Sequence, residues 1–190
     1  MTLPGPPSTA AGAPTAASGN VLSLTDFRTG SPDLGWYVQN DNVMGGRSLG
    51  GFEIRDQGPL VFSGSTNTDG GGFSSIRTRS FAPLDLSKYD GIELRVKADG
   101  RQYTWQLQTR ARYRGYEVSY WAEFDTVAGE WTAVRIPFAS FYPQFRGFRL
   151  EGPALDRSDI TEFGLYIYDK KDGPFELQLS NISAFAAESP

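Results

Sequence analysis

The side chains of this sequence that could react or bind a ligand are carboxylates, hydroxyls, amides and cations, because its 190 residues include no histidine and no cysteine. Serine or cysteine catalysis that relies on an imidazole base is therefore excluded. Zinc sites of imidazole or thiolate, disulfides and thiol redox chemistry are excluded for the same reason. Carboxylate pairs, lysine, tyrosine, serine and metal sites with oxygen ligands remain.

Carboxylate catalysis has few candidates. Glycoside hydrolysis needs two facing carboxyl groups about 5–9 Å apart, and Asp41, Glu117 and Glu123 form the only loosely suitable set. The glycines at 70–72 do not open a helix after a strand, so they do not form a phosphate-binding loop. We predict that the chain is not an enzyme.

A structural metal ion is the one cofactor that the acidic residues allow. Asp26, Asp172 and Glu176 lie near the two ends of the region expected to fold, and their oxygens are ligands of the kind that calcium prefers. No ligand run of the EF-hand type occurs in the sequence. We therefore predict no cofactor, with a structural calcium ion as an open alternative.

One predicted strand combines an apolar side with a row of polar side chains. Tyr103, Trp105 and Leu107 alternate with polar residues, so if these three face the core, the other side is polar. That polar side consists of Gln102, Thr104, Gln106, Gln108 and Arg110. Amides and a guanidinium in a row suit hydrogen bonding to sugar hydroxyls or a peptide backbone. A one-residue error in register would reverse this assignment.

The next predicted strand extends the same polar side. Glu117, Trp121 and Glu123 share one face there, and an exposed tryptophan stacks on sugars or anchors protein interfaces. Arg77, which points away from Ile76, either joins this face or pairs with a carboxylate such as Asp41 or Glu123. The alternative reading is an ordinary solvated sheet face.

Asp41 belongs to a segment, residues 40–46, that is rich in asparagine and glycine. Asn and Asp tolerate left-handed backbone and bond their own backbone, and glycine allows positive φ, so a structured loop is predicted. Such a loop either locks two strands together or presents Asp41 at the mouth of a binding face. Both roles can hold at once.

Two further segments carry aromatic side chains outside the strand pattern. Residues 112–116 read as an exposed hairpin tip, and residues 141–148 as a loop with more aromatic surface than solvation alone favours. Exposed apolar surface of this kind marks contact sites for partners. We expect a partner contact at the second segment.

The elements that must position these residues are strands. Apolar and polar residues alternate with period two in most of the chain, and Gly, Pro and Asp-Gly turns separate the runs. No stretch carries a helical stripe of useful length. The sequence predicts an all-β, jelly-roll β-sandwich of eight to ten strands. We assign it to residues 21–187, preceded by a disordered tail at residues 1–20 that is rich in Pro, Ala, Gly and Ser.

Charge and hydropathy narrow the partners and the compartment. The net charge of −4 and the absence of a basic cluster disfavour nucleic acid. No apolar run approaches the roughly 20 residues that a membrane span requires, and no signal peptide is visible. We predict a soluble protein of cytoplasmic or organelle-matrix type.

Four groups of residues, in this order along the chain, resemble the CIA30 family, the domain of complex I intermediate-associated protein 30. They are Asn-Asp-Asn-Val-Met-Gly-Gly within residues 36–48; residues 60–64 followed by Gly-Gly-Phe-Ser-Ser-Ile-Arg at 71–77; residues 99–103 with 129–131 and 136–138; and residues 169–177. The likeness runs from about Asp26 to Phe185. The Asn-Asp-Asn-Val-Met-Gly-Gly block placed before Gly-Gly-Phe-Ser-Ser-Ile-Arg is a specific combination.

The resemblance implies a galactose-binding-domain-like jelly roll, similar to several carbohydrate-binding modules. It also implies a non-enzymatic assembly factor or chaperone for a membrane-bound electron-transfer complex, with a protein client as partner. Two alternatives remain open at this point. One is a carbohydrate-binding module, and the other is a structural subunit built permanently into a larger complex.

Overall fold

The computed structural model describes residues 21–41 and 45–187. The predicted disordered tail at residues 1–20 lies outside the described residues. Alternating apolar residues form thirteen strands in the described part, more than the eight to ten predicted, because several short segments pair at the sheet edges. The strands are β1 Val21–Thr25, β2 Tyr37–Asn40, β3 Leu49–Ile54, β4 Leu60–Thr66, β5 Ser74–Arg77, β6 Gly91–Ala98, β7 Tyr103–Tyr113, β8 Tyr116–Phe124, β9 Trp131–Pro137, β10 Tyr142–Phe145, β11 Phe148–Arg149, β12 Glu162–Ile167 and β13 Gly173–Phe185.

The strands form two antiparallel sheets. The six-stranded sheet has the order β3-β4-β13-β6-β9, and β1 also pairs with β13. The seven-stranded sheet has the order β11-β10-β8-β7-β12-β5-β2. Neighbours in both sheets are often far apart in sequence, as a jelly-roll sandwich requires. This confirms the predicted all-β class.

The core lies between the two sheets and follows from the period-two pattern. Tyr103, Trp105 and Leu107 of β7 are fully buried and face the core, as do Ile92 and Leu94 of β6. The hydrophobic effect therefore fixes the register of both sheets, because a one-residue slip would expose every one of these side chains. Within residues 21–41 and 45–187, no helix has the length and apolar character that crossing a bilayer would take.

The segment at 141–148 differs from its prediction as a loop. It forms β10 and β11, after a short 3₁₀ turn at Phe138–Ser140. Gln144 is buried and pairs with Ser119 of β8, so the neighbouring strand supplies the backbone partners that a loop would lack. The tip at residues 112–116 is a two-residue hairpin turn, as predicted, with φ of 50° at Arg114 and 83° at Gly115.

A buried ion pair ties the two sheets together at one end. Arg101 binds Asp169 through two nitrogens, at 2.9 Å from Nε and 2.6 Å from Nη2. Arg101 also donates to Thr66 Oγ1 in β4 and to the carbonyls of Lys171 and Gly173. Burial alone would raise the pKa of the Asp169 carboxyl, but the hydrogen bond and charge of Arg101 outweigh it and lower that pKa.

Replacing Arg101 by alanine will lower the free energy of unfolding by about 3–5 kcal/mol, because Asp169 is then left as a buried, unpaired charge. Urea denaturation at neutral pH measures the loss. The control is Arg135→Ala, which breaks an exposed pair with Glu93 and costs about 1 kcal/mol or less. Equal losses in the two variants would contradict the structural role of the buried pair.

Candidate functional site

The outward-pointing side chains of the seven-stranded sheet form a surface that we call the outer face. Strand register aligns them in rows that cross the sheet from β10 to β2. The central row is Tyr142, Trp121, Gln106, Gly164, Arg77 and Tyr37; the rows beside it are Glu123, Thr104, Tyr166, Ser75 and Gln39, and Gln144, Ser119, Gln108 and Glu162. Amides, hydroxyls and aromatic rings dominate the face.

Trp121 and Gln106 meet at the centre of the outer face. The Trp121 indole Nε1 donates to Gln106 Oε1 at 3.2 Å, and Gln106 is only 1% exposed. Gly164 is the next residue in the row, and a Cβ there would lie 3.1 Å from Gln106 Cβ and 3.2 Å from Tyr166 Cε2. Glycine at this position therefore lets the amide and the ring pack across the strand.

Aromatic rings surround this centre. Trp121 lies 5.0 Å from Tyr166 and 6.4 Å from Tyr168 between ring centroids, and Phe73 lies 6.2 Å from Tyr166 and 6.3 Å from Tyr168. We call these four residues the aromatic cluster. Trp121 and Phe73 are half-buried and Tyr168 is exposed. The cluster is therefore partly accessible to solvent and partly packed against the sheet.

Arg77 pairs with Glu162, at 3.5 Å from Nη2, and donates to Gln39 Oε1 at 3.1 Å. The expected alternatives, Asp41 and Glu123, are not its partners. Glu162 is the neighbour because β12 pairs with β5 on the same face. Among the described residues, Arg77 Nε and Gln106 Nε2 are buried and have no protein acceptor, and they flank Gly164 on either side.

The sequence-predicted residues of β7 and β8 lie mainly on this face. Thr104, Gln106 and Gln108 point outward, as predicted, but are buried by neighbouring side chains rather than open to solvent. Glu123 accepts from the Tyr142 hydroxyl. Burial raises the pKa of Tyr142, and the nearby Glu123 carboxylate raises it further, so the phenol stays a donor.

Three predicted residues lie at the margins of the face. Gln102 precedes β7 and donates to Asp125 at 3.1 Å. Arg110 lies within the irregular part of the β7–β8 register and pairs with Asp159 at 2.6 Å. Glu117 lies near the start of β8 beside Arg112. A cleft of about 510 Å³ at this end of the face is lined by Gln108, Arg110 and Glu117.

Asp41 is fully buried and does not lie on the outer face. Its carboxylate accepts from the backbone N–H of Ser48 at 3.0 Å, Gly72 at 2.7 Å and Phe73 at 3.3 Å. Burial raises the pKa of Asp41, but these hydrogen bonds outweigh burial and the net pKa is lowered. A Cβ at Gly46 would lie 2.2 Å from Asp41 Cγ, so the carboxylate occupies space that only glycine leaves free.

Asp41 therefore has the first of the two roles predicted for its loop, because its hydrogen bonds hold neighbouring chain segments together. Because its oxygens are bound to backbone amides, the carboxylate is not available to a ligand or to a reaction with Glu117 or Glu123. Among residues 21–41 and 45–187, no three acidic side chains converge as metal ligands. Asp26, Asp172 and Glu176 thus do not form one cluster among the described residues, and a structural calcium ion stays an untested alternative.

Sequence reasoning missed Phe73, Tyr166 and Tyr168 as members of the site, and it assigned Tyr142 to a separate partner contact at residues 141–148. The signal for two of them was present, since Tyr166 and Tyr168 alternate with buried Leu165 and Ile167. The pairing of β12 with β7, which brings these rings beside Trp121, spans about 60 residues of sequence. The alternation of apolar and polar residues predicts which face of a sheet a side chain lies on, but it does not predict which strand pairs with that strand.

The outer face of the six-stranded sheet provides a contrast. That surface carries the side chains of Glu93, Arg95, Ala133 and Arg135. Trp131 also lies there, 39% exposed, with the Arg95 guanidinium 5.9 Å from its ring and with no other aromatic ring of the described residues packed against it. Charged and exposed residues of this kind form an ordinary solvated face. The site is therefore specific to the seven-stranded sheet.

The fold is a jelly roll of the class that includes carbohydrate-binding modules. A solved family 11 carbohydrate-binding module from Clostridium thermocellum, in complex with a β-1,3-1,4-mixed-linked tetrasaccharide, superposes with a TM-score of 0.64 at 18% identity. The match covers 90% of this chain and 98% of that one. A family 30 module matches with a TM-score of 0.54 at 17% identity, covering 89% of this chain and 99% of that one.

Residues 25–179 match the profile of the family described as Complex I intermediate-associated protein 30, CIA30, and the chain belongs to that family. A Drosophila melanogaster relative named Complex I intermediate-associated protein 30, mitochondrial, is 27% identical over 83% of this chain. An uncharacterized protein of Schizosaccharomyces pombe is 30% identical, covering 85% of this chain and 84% of its own length. The chain spans 60% of the length of the fly relative.

Asp41→Asn will lower the free energy of unfolding by about 1–3 kcal/mol at neutral pH, because an amide can no longer accept from all three backbone donors. The pKa of Asp41 is lowered by folding, so its contribution is complete above the unfolded value of about 4 and fades as the pH falls through the folded value. Urea denaturation between neutral and acidic pH checks both points. The gap between wild type and variant should narrow on acidification, and a constant gap would contradict this account.

Proposed function

We propose that this chain is a non-catalytic assembly factor or chaperone that holds a protein client against the outer face of the seven-stranded sheet. The observation that carries the proposal is the aromatic cluster around the Trp121–Gln106 pair, on the one sheet face that is not an ordinary solvated surface. Half-buried tryptophan and tyrosine anchors of this kind dominate protein interfaces.

The electrostatics of the face favour a contact with few charges. Arg77 is balanced by Glu162, and Glu123 keeps its charge while it accepts a hydrogen bond from the neutral Tyr142 phenol, so the face carries a small negative net charge. The polar groups that reach the surface of the face include the Tyr142 hydroxyl, the Glu123 carboxylate and the Tyr168 ring with its hydroxyl, whereas Gln106 Nε2 and Arg77 Nε are buried beneath it. A reaction has no support here, since the face carries neither an imidazole nor a thiol.

Family membership indicates the kind of client. The fly relative is named for its association with an intermediate of complex I, and we extend that role to this chain as an assembly function for a membrane-associated electron-transfer complex. A location where such a complex is put together, such as an organelle matrix, would follow. The client itself would be a subunit or subassembly that exposes apolar and amide groups before it is built in.

A carbohydrate ligand is the second candidate, favoured by one observation. Trp121 stands beside the amide of Gln106 on a face of the same fold as a module solved with a tetrasaccharide. Rings and amides side by side suit sugars as well as peptides. Titration calorimetry with the β-1,3-1,4-mixed-linked tetrasaccharide tests this, and heat of binding that Trp121→Ala abolishes would favour sugar over protein.

Affinity purification of the tagged chain from its host tests the client proposal. Trp121→Ala will reduce client recovery strongly, since loss of a central anchor weakens binding by about 2 kcal/mol or roughly 30-fold. Trp131→Ala is the matched control, because it removes an equally large ring from the outer face of the other sheet. Circular dichroism checks that both variants fold.

The outcomes separate the alternatives. A defined protein complex that wild type and Trp131→Ala retain and Trp121→Ala loses would support the proposal. A complex retained equally by all three proteins would contradict the assignment to this face. Repeated purification without any partner protein would contradict the assembly function.

A further inference from the structure

Two hairpins project from one end of the seven-stranded sheet and carry the arginines and aromatic rings that the outer face does not use. They are residues 112–117, between β7 and β8, and residues 145–149, between β10 and β11. We call them the hairpin tips. Their side chains include Arg112, Tyr113, Arg114, Tyr116, Glu117, Phe145, Arg146, Phe148 and Arg149.

The two tips form one contiguous surface. β10 pairs with β8, so both turns point the same way, and the rings of Tyr116 and Phe145 lie 4.9 Å apart between centroids. Phe148 is 74% exposed and Tyr116 is 56% exposed, which is unusual for residues of their size. These two rings therefore present apolar surface to solvent at the turns of adjacent hairpins.

The tips are basic on an acidic protein. Four arginines and one glutamate give them a net charge of +3, whereas the whole chain carries −4. The guanidinium of Arg114 lies 5.2 Å from the Tyr113 ring and that of Arg146 lies 5.2 Å from the Phe145 ring. Stacking of this kind leaves the N–H groups directed outward and free to bind oxygen anions.

Both turns hold an arginine in a conformation that disfavours it. Arg114-Gly115 and Arg146-Gly147 are two-residue turns with the same φ values, 50° at arginine and 83° at glycine. Asparagine, aspartate or glycine is the residue that such a turn prefers at its first position. Arginine at both positions costs local stability, and strain of this kind is found where a side chain serves a function.

We propose that the hairpin tips dock on an anionic lipid bilayer. Exposed aromatic rings enter the interfacial region, and arginines bind lipid phosphates, as is usual for proteins that attach to a membrane surface. The two tips at one end of a rigid sheet contact a plane together. A nucleic acid fits less well, because a long polyanion would meet the acidic remainder of the chain.

Vesicle sedimentation with the full chain tests this inference. Wild type is expected to bind vesicles of phosphatidylcholine mixed with an equal amount of phosphatidylglycerol, and not phosphatidylcholine alone. Arg114→Asn with Arg146→Asn removes two charges while supplying the residue that the turns prefer. Binding should weaken about 25-fold, because each arginine near an anionic surface contributes a factor of about five to the affinity. Phe148→Ser should weaken it about tenfold.

The matched control removes two charges elsewhere. Lys170→Asn with Lys171→Asn changes two exposed lysines that follow β12 at the opposite end of the seven-stranded sheet, and Lys170 also has φ of 60°. Its vesicle binding should fall no more than about twofold, since only charges near the surface count. An equal loss in the control would overturn the assignment to the tips.

Other results would overturn the lipid assignment directly. A failure to bind the anionic vesicles would overturn it. Binding to single-stranded DNA that is as strong as vesicle binding, and that Phe148→Ser does not affect, would also overturn it. The second result would show a general polyanion site. The client proposal has a separate outcome, because Trp121→Ala leaves the tips intact and should bind vesicles like wild type.

Discussion

The buried carboxylate of Asp41 is the constraint on which the functional surface depends. It gathers the backbone amides of Ser48, Gly72 and Phe73 around one charge at the end of β2. Since a buried carboxylate is stable only when such donors surround it, the three chain segments must keep these positions. Phe73 is fixed in this way, and through it the edge of the aromatic cluster.

A second buried charge acts at the same end of the seven-stranded sheet. Arg101 binds Asp169 and reaches Thr66 in the six-stranded sheet, so the two sheets cannot separate there without exposing or isolating a charge. Tyr168, the residue before Asp169, belongs to the aromatic cluster. Two networks of buried, hydrogen-bonded charges therefore hold the backbone next to the rings of the outer face. The opposite end of the sheet carries the exposed hairpin tips.

Three features occupy different parts of one small domain. One end of the seven-stranded sheet holds the buried charge networks, its outer face carries aromatic rings and polar groups, and its other end projects arginines and aromatic residues. An assembly factor needs a surface that fits an incomplete client without reacting with it. The proposed membrane contact would place such a client beside the bilayer in which its complex resides.

Much of the fold follows from sequence because alternation with period two is a local property. The side of β7 that carries Gln106 was predicted correctly from Tyr103, Trp105 and Leu107 alone. The burial of Gln106 was not predictable in this way, since it depends on Trp121 and Tyr166 from strands that pair only in the folded chain. Loops that become edge strands, such as residues 142–149, escape prediction because a neighbouring strand provides their hydrogen bonds.

The most direct test of the client-binding claim is site-specific photo-crosslinking in the host cell. A photoreactive phenylalanine replaces Glu123 on the outer face of the seven-stranded sheet in one protein, and Ala133 on the outer face of the six-stranded sheet in another; both positions are exposed. If the client docks on the outer face of the seven-stranded sheet, position 123 forms a discrete covalent adduct with another protein and position 133 forms none. Adducts from position 133 alone, or none from either position, would contradict the claim.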